Sequence, residues 1–299
     1  MKISVIQMEP GLSKEKNIAQ ALQLIQAVVS EDSPRLVVLP ETWSCLGGDP
    51  ETRFNQSEKL PPPGDTSPPQ APGEAYGFLQ RTAREHGIYL HGGSIGERHG
   101  DRLFNTTLVF SPEGHEIARY RKIHLFNADT EDGSGYRESV EYDAGDQIVT
   151  YLADGIRIGC AICYDLRFPE LFLALRCAGA ELIVLPSAFT LQTGRDHWEP
   201  LLRARAIDTQ CWIAAAATSG RHTEVSETRA TFGHSLLCDP WGNIVANTGD
   251  GSGWATGRMD RGLTARLRAR MPLLAHRAPW EVPLDCPKIT RPPLDDNGA

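Results

Sequence analysis

Short apolar runs alternate with amphipathic stretches along most of this 299-residue chain, and this alternation limits the possible folds more than any other feature. The run LVVLP at 36–40 is typical of a buried strand, whereas residues 13–30 carry apolar side chains at helical spacing. The runs at 104–110 and 116–121 flank the turn sequence PEG at 112–114, as in a hairpin. Hairpins mixed with strand–helix–strand units predict an α/β fold, in which helices cover a mixed sheet.

Two segments depart from this pattern. Residues 61–73 read PPPGDTSPPQAPG, which predicts an exposed loop because proline lacks a backbone donor and cannot enter a helix interior or a central strand. Residues 271–299 are rich in proline and weakly patterned, which predicts an extended C-terminal tail. Neither segment resembles a domain boundary. We therefore expect one domain over residues 1–270, including the proline-rich loop, followed by the tail.

Charge and composition exclude several classes of partner. The net charge of −8 argues against nucleic acid or an anionic membrane as the main partner, because both require a basic face. No apolar run approaches the about 18–20 residues of a membrane helix, and Gln7 and Glu9 interrupt the apolar N-terminus, so no secretory signal is predicted. The odd, scattered set of seven cysteines then predicts reduced thiols and a cytoplasmic protein. A small polar or anionic substrate is compatible with all of this.

Cofactor motifs are incomplete. Cys160 and Cys163 form a C-x-x-C, which could indicate redox or metal chemistry. No second C-x-x-C or H-x-x-x-H completes a zinc set, and this pair ends a strand, whereas an active-site redox pair normally begins a helix. The sequence GGSIGE at 92–97 lacks the glycine spacing and the Lys-Ser/Thr ending of a phosphate loop. We expect neither a metal nor a cofactor.

Four residues with side chains that could take part in catalysis lie at the ends of predicted strands or in the segments between them. Glu41 follows LVVLP, Lys122 follows EIARYR, Cys163 follows IRIGCAI, and Glu138 lies in the acidic segment between Lys122 and Cys163. Strand ends are where loops build sites on a rigid base. A carboxylate, an ammonium and a thiol together can perform acyl transfer: the carboxylate accepts the thiol proton, the thiolate attacks a carbonyl, and the cation stabilises the oxyanion.

Each residue also has a simpler interpretation. Glu41 could be a solvated charge at a strand end, Lys122 could belong to the exposed basic stretch RYRKIH, and Cys163 could be a small buried hydrophobe. Residue types and spacing leave these alternatives open.

Three sequence blocks resemble the signatures of the nitrilase, or carbon–nitrogen hydrolase, superfamily. The blocks are LPETW at 39–43, RKIHLF at 121–126 and GCAICYDLRFPEL at 159–171, in the order found in that family. The resemblance implies an α-β-β-α sandwich with mixed sheets and a catalytic triad of Glu41, Lys122 and Cys163. It also implies a second active-site glutamate between the last two blocks, a role that falls on Glu138.

Further segments resemble the Nit subgroup, which includes the deaminated glutathione amidases and the ω-amidases. The segments at 186–210 and 233–246 carry this resemblance, and the T-G-x-x-H-W-E stretch within the first is closer to the deaminated glutathione amidases. The proline-rich loop at 61–73 is longer than the family pattern, so the substrate range could differ if this loop borders the pocket.

The subgroup also implies roles for residues around the nucleophile. The backbone N–H of Tyr164 would help Lys122 hold the oxyanion, and Arg167 would bind the carboxylate of an α-keto acid, since its planar fork suits a carboxylate. Arg167 could instead pair with Asp165 or Glu170. The predicted pocket wall contains Phe189 and Thr193, on the segment after the sequence PSA.

The resemblance favours a cysteine-dependent amidase of the EC 3.5.1 type that acts on deaminated glutathione in metabolite repair and assembles as a homodimer or a larger homo-oligomer. The alternatives are an ω-amidase on α-ketoglutaramate-like acids, a nitrilase on small nitriles, and a catalytically silent interaction protein on the same scaffold. The presence of Glu41, Lys122, Glu138 and Cys163 argues against silence, because a silent scaffold is expected to have lost at least one of them.

Overall fold

The structure, a computed structural model, describes residues 1–62, 73–129, 135–227 and 229–278. Within them the strands are β1 (Lys2–Gln7), β2 (Leu36–Val38), β3 (Tyr89–His91), β4 (Ile95–His99), β5 (Arg102–Phe110), β6 (Glu116–Arg121), β7 (Asn127–Asp129), β8 (Gly135–Arg137), β9 (Thr150–Ala153), β10 (Ile156–Cys160), β11 (Leu182–Ser187), β12 (Trp212–Ala217), β13 (Ser219–Arg221), β14 (Ala230–Phe232), β15 (Leu236–Cys238), β16 (Ile244–Asn247) and β17 (Gly253–Arg258). The helices are α1 (Lys14–Asp32), α2 (Pro50–Gln56), α3 (Glu74–His86), α4 (Glu138–Glu141), α5 (Pro169–Cys177), α6 (Leu191–Thr209) and α7 (Arg261–Arg270), with a 3₁₀ helix at Cys163–Arg167.

Two mixed sheets form the centre of the molecule. The first has the strand order β17-β1-β2-β3-β5-β4, with β6 also paired to β5, and the second has the order β16-β15-β12-β11-β10-β9. The pairs β1–β2 and β2–β3 are parallel in the first sheet, as are β10–β11 and β11–β12 in the second, and the flanking pairs are antiparallel. The prediction of mixed sheets is confirmed.

The run at 36–39 shows how the layers stack. Leu36 and Val38 face the core between the two sheets, whereas Val37 and Leu39 face the core beneath helices α1 and α3. Helices α5 and α6 contribute buried side chains to the core of the second sheet. A strand buried on both faces needs a continuous apolar run rather than an alternating one. The layers are therefore helix, sheet, sheet and helix, as the α-β-β-α prediction requires.

Two helices show what local sequence does and does not reveal. Helix α6 begins at Leu191, where the Thr190 side chain accepts a hydrogen bond from the Thr193 N–H and caps the helix. Pro200 lies inside this helix. Helix α7 was not predicted, since Thr264 is its only buried residue and it carries little apolar periodicity.

The loop and the tail fall largely outside the described part of the chain. Residues 63–72 of the predicted proline-rich loop and residues 279–299 of the predicted tail are not among the described residues, so both stay predictions, as does the domain boundary at residue 270. Residues 271–278 form a turn after α7, in which the Ala275 N–H donates to the Pro272 carbonyl. None of the helices within the described residues is both long and apolar enough to cross a membrane.

The buried ring of His91 on β3 should make the folded protein less stable at acidic pH. Its ring is 0% exposed, lies 6.1 Å from the Tyr151 ring, and has no hydrogen-bond partner for either nitrogen among the described residues. Burial lowers the pKa of His91 from 6.5 to about 3. Between these two values the unfolded chain binds a proton that the folded chain does not, so stability falls as the pH falls through this window.

We therefore expect His91→Leu to remove part of the acid sensitivity. From pH 7 to pH 5, wild type should lose about 2 kcal/mol more unfolding free energy than the variant, measured by urea denaturation. His99→Leu, at an exposed site at the end of β4, is the matched control and should keep the wild-type slope. Equal slopes for His91→Leu and wild type would contradict the prediction.

Candidate active site

The four residues singled out from sequence line one cavity of about 380 Å³. Glu41 follows β2 of the first sheet, and Lys122 follows β6 of the same sheet. Cys163 follows β10 of the second sheet, and Glu138 begins the short helix α4. Both sheets of the sandwich therefore supply a wall of the cavity.

Lys122 is the centre of the polar network. Its Nζ lies 2.9 Å from Oε1 of Glu41 and 2.8 Å from Oε2 of Glu138, and the residue is 2% exposed. Burial alone lowers the pKa of an ammonium, but the charges of Glu138 and Glu41 outweigh it and raise the pKa of Lys122 well above its usual value. The side chain is therefore a fixed cation at any pH at which the protein is folded and the carboxylates are ionised.

Asn105 on β5 is a site residue that the sequence analysis missed. Its Nδ2 donates to Oε1 of Glu41 at 2.9 Å and to Oε1 of Glu138 at 3.2 Å. Its Oδ1 is buried without a hydrogen-bond partner in the described part of the chain. The amide thus holds the two carboxylates on either side of Lys122. Two further polar residues, Thr106 and Thr107, follow it on the same buried strand, so no local signal in the sequence singles it out.

Cys163 begins the 3₁₀ helix in an unusual backbone conformation. Its φ is 46°, in the left-handed region that residues other than glycine rarely adopt, and the residue is 8% exposed. Such strain persists only where the surroundings impose it, and it is common at functional sites.

The thiol of Cys163 lies beside the carboxylate of Glu41 in the cavity. Burial and the nearby Glu41 carboxylate raise the pKa of Cys163 well above its usual value, while Lys122 and a backbone hydrogen bond at Ala188 act in the opposite direction. The resting side chain is therefore a thiol, and a carboxylate that can act as its base lies next to it.

Asp165 fixes the turn that carries Cys163. Its Oδ2 accepts from the Ile162 N–H at 2.8 Å and from the Tyr120 hydroxyl at 2.7 Å, and its Oδ1 accepts from the His124 N–H at 3.1 Å. Tyr120 and His124 lie two residues before and after Lys122. One fully buried carboxylate therefore ties the Lys122 segment to the Cys163 turn.

The predicted substrate-binding residues lie around a second, narrower recess. Arg167, Phe189, Thr193 and Tyr164 line it, and Cys163 lines both this recess and the larger cavity. The guanidinium of Arg167 lies 5.6 Å from the centroid of the Phe189 ring. Among the described residues Arg167 forms no ion pair with Asp165 or Glu170; its nearest polar neighbour is His197, with Nη2 at 3.3 Å from Nδ1.

Tyr164 is the second residue of the 3₁₀ helix. Backbone N–H groups in the first turn of a helix have no acceptor within the helix, so they can receive an anion. Together with Lys122 this gives two donors near the Cys163 sulfur. Within the described ranges, no cluster of three His, Cys, Asp or Glu side chains could hold a metal ion.

Comparison with known proteins agrees with this geometry. The model of the carbon–nitrogen hydrolase family matches residues 2–269. The deaminated glutathione amidase of Bos taurus is 37% identical over 283 residues, which are 93% of this chain and 82% of that protein. The omega-amidase NIT2-A of Xenopus laevis is 34% identical over 277 residues, which are 92% of this chain and 94% of that protein.

A solved structure is also similar along most of its length. Nit3 of Saccharomyces cerevisiae, a member of branch 10 of the nitrilase superfamily, superposes with a TM-score of 0.80 at 30% identity. The match covers 91% of this chain and 94% of that one.

The contact between Glu41 and Cys163 predicts opposite effects on acidity and on turnover. Glu41→Gln removes the negative charge that helps raise the pKa of Cys163, while Lys122 stays beside the sulfur. The apparent pKa of Cys163 should therefore fall, although amide turnover should drop by about 10²–10⁴-fold because the proton acceptor is lost. The pKa is measured from the pH dependence of iodoacetamide labelling, read by mass spectrometry on the peptide that contains Cys163.

The matched control is Glu199→Gln, at an exposed position on α6 outside the cavity, which should change neither quantity. A Cys163 pKa that rises or stays constant in Glu41→Gln would show that the two side chains do not interact as described.

Proposed function

The chain belongs to the carbon–nitrogen hydrolase family, and we propose on this basis that it hydrolyses deaminated glutathione through a thioester on Cys163. Family membership and relatives named as amidases make it a carbon–nitrogen hydrolase that acts on amides. The observation that carries the proposed mechanism is the position of Glu41, whose carboxylate lies beside the Cys163 thiol and accepts a hydrogen bond from Lys122.

The first half of the reaction forms the thioester. As the sulfur of Cys163 bonds to the amide carbon, its proton passes to Glu41, and the carbonyl oxygen becomes an oxyanion held by Lys122 and the Tyr164 N–H. When the oxyanion collapses, the C–N bond breaks and Glu41 returns the proton to the leaving nitrogen. The free amine leaves, and the acyl group stays on the sulfur.

The second half releases the acid. Glu41 takes a proton from a water molecule as the water oxygen bonds to the thioester carbon, and a second oxyanion forms at the same donors. The C–S bond then breaks, the sulfur recovers the proton from Glu41, and the carboxylic acid leaves. Glu138 touches neither reacting bond in this scheme. With two hydrogen bonds from Lys122 and one from Asn105, it keeps the cation in place.

Substrate recognition in this proposal uses the narrow recess. Arg167 binds the α-keto carboxylate of the acyl group, and Phe189 and Thr193 form the wall beside it. Thr193 is fixed there because its Oγ1 lies 2.8 Å from Oγ1 of Thr190. The ω-amidase of Xenopus laevis supports a second candidate, an α-ketoglutaramate-like substrate that releases ammonia. We further propose a homodimer or larger homo-oligomer in the cytoplasm, as the family resemblance and the composition favour.

Product analysis distinguishes the two candidate substrates. We expect release of cysteinylglycine from deaminated glutathione to exceed release of ammonia from α-ketoglutaramate by at least about tenfold in kcat/KM, a difference of about 1.4 kcal/mol. Cysteinylglycine is measured by thiol-specific labelling and ammonia by a coupled dehydrogenase assay, with Cys163→Ala as the blank. The reverse preference would identify an ω-amidase, and activity on neither amide would contradict the proposed function.

A further inference from the structure

The cavity that contains Cys163 also carries arginines that the mechanism does not use. Arg53, Arg137 and Arg229 line the 380 Å³ cavity, whereas Arg167 lines only the narrow recess. We call the part of the cavity around these three side chains the arginine lobe. Cys163 lines both spaces, so the two sides of an amide bound there can reach the recess and the lobe.

Two of the three arginines already have partners. Nη2 of Arg137 lies 2.7 Å from Oδ1 of Asp129, and its Nη1 donates to the Tyr136 carbonyl at 2.9 Å. Arg53 forms an ion pair with Glu141, which also lines the lobe. The charge of each guanidinium is therefore balanced by a carboxylate.

Arg229 differs from both. It lies between β13 and β14, and its guanidinium stacks 5.5 Å from the centroid of the Tyr136 ring. In the described part of the chain its side chain forms no hydrogen bond or ion pair. A guanidinium stacked on an aromatic ring keeps its N–H edge available, and that edge matches a carboxylate bidentately.

The shapes of the two spaces indicate which half of the substrate each one holds. The acyl group remains bonded to Cys163 after the first half-reaction, so it suits the narrow recess. The amine must leave before water enters, and the wider, more open lobe allows this exit. A leaving amine that carries a carboxylate would place a negative charge in the lobe, where Arg229 forms no ion pair among the described residues and shares the charge of a single carboxylate, Glu141, with Arg53.

We propose that Arg229 binds a carboxylate on the leaving amine, so that the preferred substrates are amides with a carboxylate on each side of the scissile bond. The leaving group is then an amino acid or a short peptide with a free C-terminus, rather than ammonia. This inference rests on the proposed function, because it assigns the leaving-group side of the same site.

The test compares two substrates that differ only in this carboxylate. Deaminated glutathione ends in a glycine carboxylate, and its glycinamide derivative ends in a neutral amide. Wild type should favour the acid by about 10- to 100-fold in kcat/KM, as expected for a hydrogen-bonded charge pair. Arg229→Gln should lower kcat/KM for the acid by about the same factor and change the value for the glycinamide by less than about threefold, which removes the preference.

Arg221→Gln is the matched control. Arg221 is an exposed arginine on β13, close in sequence to Arg229 but outside the cavity lining, and its substitution should leave the wild-type preference intact. Turnover of α-ketoglutaramate by Arg229→Gln provides a second check that the catalytic groups are undisturbed. If Arg229→Gln loses the same factor of kcat/KM on the acid and on the glycinamide, the carboxylate subsite is overturned. The amidase proposal would still stand.

Binding measurements separate this inference from the proposed function. If wild type hydrolyses neither peptide, the proposed substrate is wrong, and the subsite is then tested by calorimetry on Cys163→Ala with the same two compounds. Tighter binding of the acid that is lost in Cys163→Ala/Arg229→Gln supports the subsite. Equal affinity for the acid and the glycinamide overturns it.

Discussion

The buried ammonium of Lys122 sets the conditions for the whole site. A charge that is 2% exposed is tolerated only if carboxylates pair with it at close range, and Glu41 and Glu138 reach it from two other segments of the chain. Asn105 donates to both carboxylates and fixes their separation. Removing one partner would leave a buried charge uncompensated, so these segments stabilise one another. In the proposed mechanism, this network holds the Lys122 donor in position before substrate binds.

A second buried carboxylate connects this network to the nucleophile. Asp165 accepts hydrogen bonds from Tyr120 and from the N–H of His124, on either side of Lys122, and from the N–H of Ile162, beside Cys163. The strained φ of Cys163 is therefore imposed by a turn that is fixed to the lysine segment. One sheet supplies the cation and its carboxylate, the other supplies the sulfur, and Asp165 keeps their relative position.

The sequence predicted well those features that depend on local patterns. Buried strands such as 36–38 are short apolar runs, and Glu41, Lys122 and Cys163 lie within recognisable motifs. Helix α7 was missed because it buries too little apolar surface to show a period. Asn105 and Arg229 were missed for another reason. A single amide in a strand and a single arginine in a loop have no local signature, and only the tertiary fold brings them to the cavity.

In the proposed reaction, Cys163 carries the acyl group between the two half-reactions. Mass spectrometry tests this directly on wild-type protein that is mixed with deaminated glutathione and quenched in acid within one turnover. We expect a mass increase of one 2-oxoglutaryl group on the peptide that contains Cys163, removable by hydroxylamine as a thioester is, and absent from Cys163→Ala. Rapid turnover with no acyl adduct on Cys163, or undiminished turnover by Cys163→Ala, would contradict it.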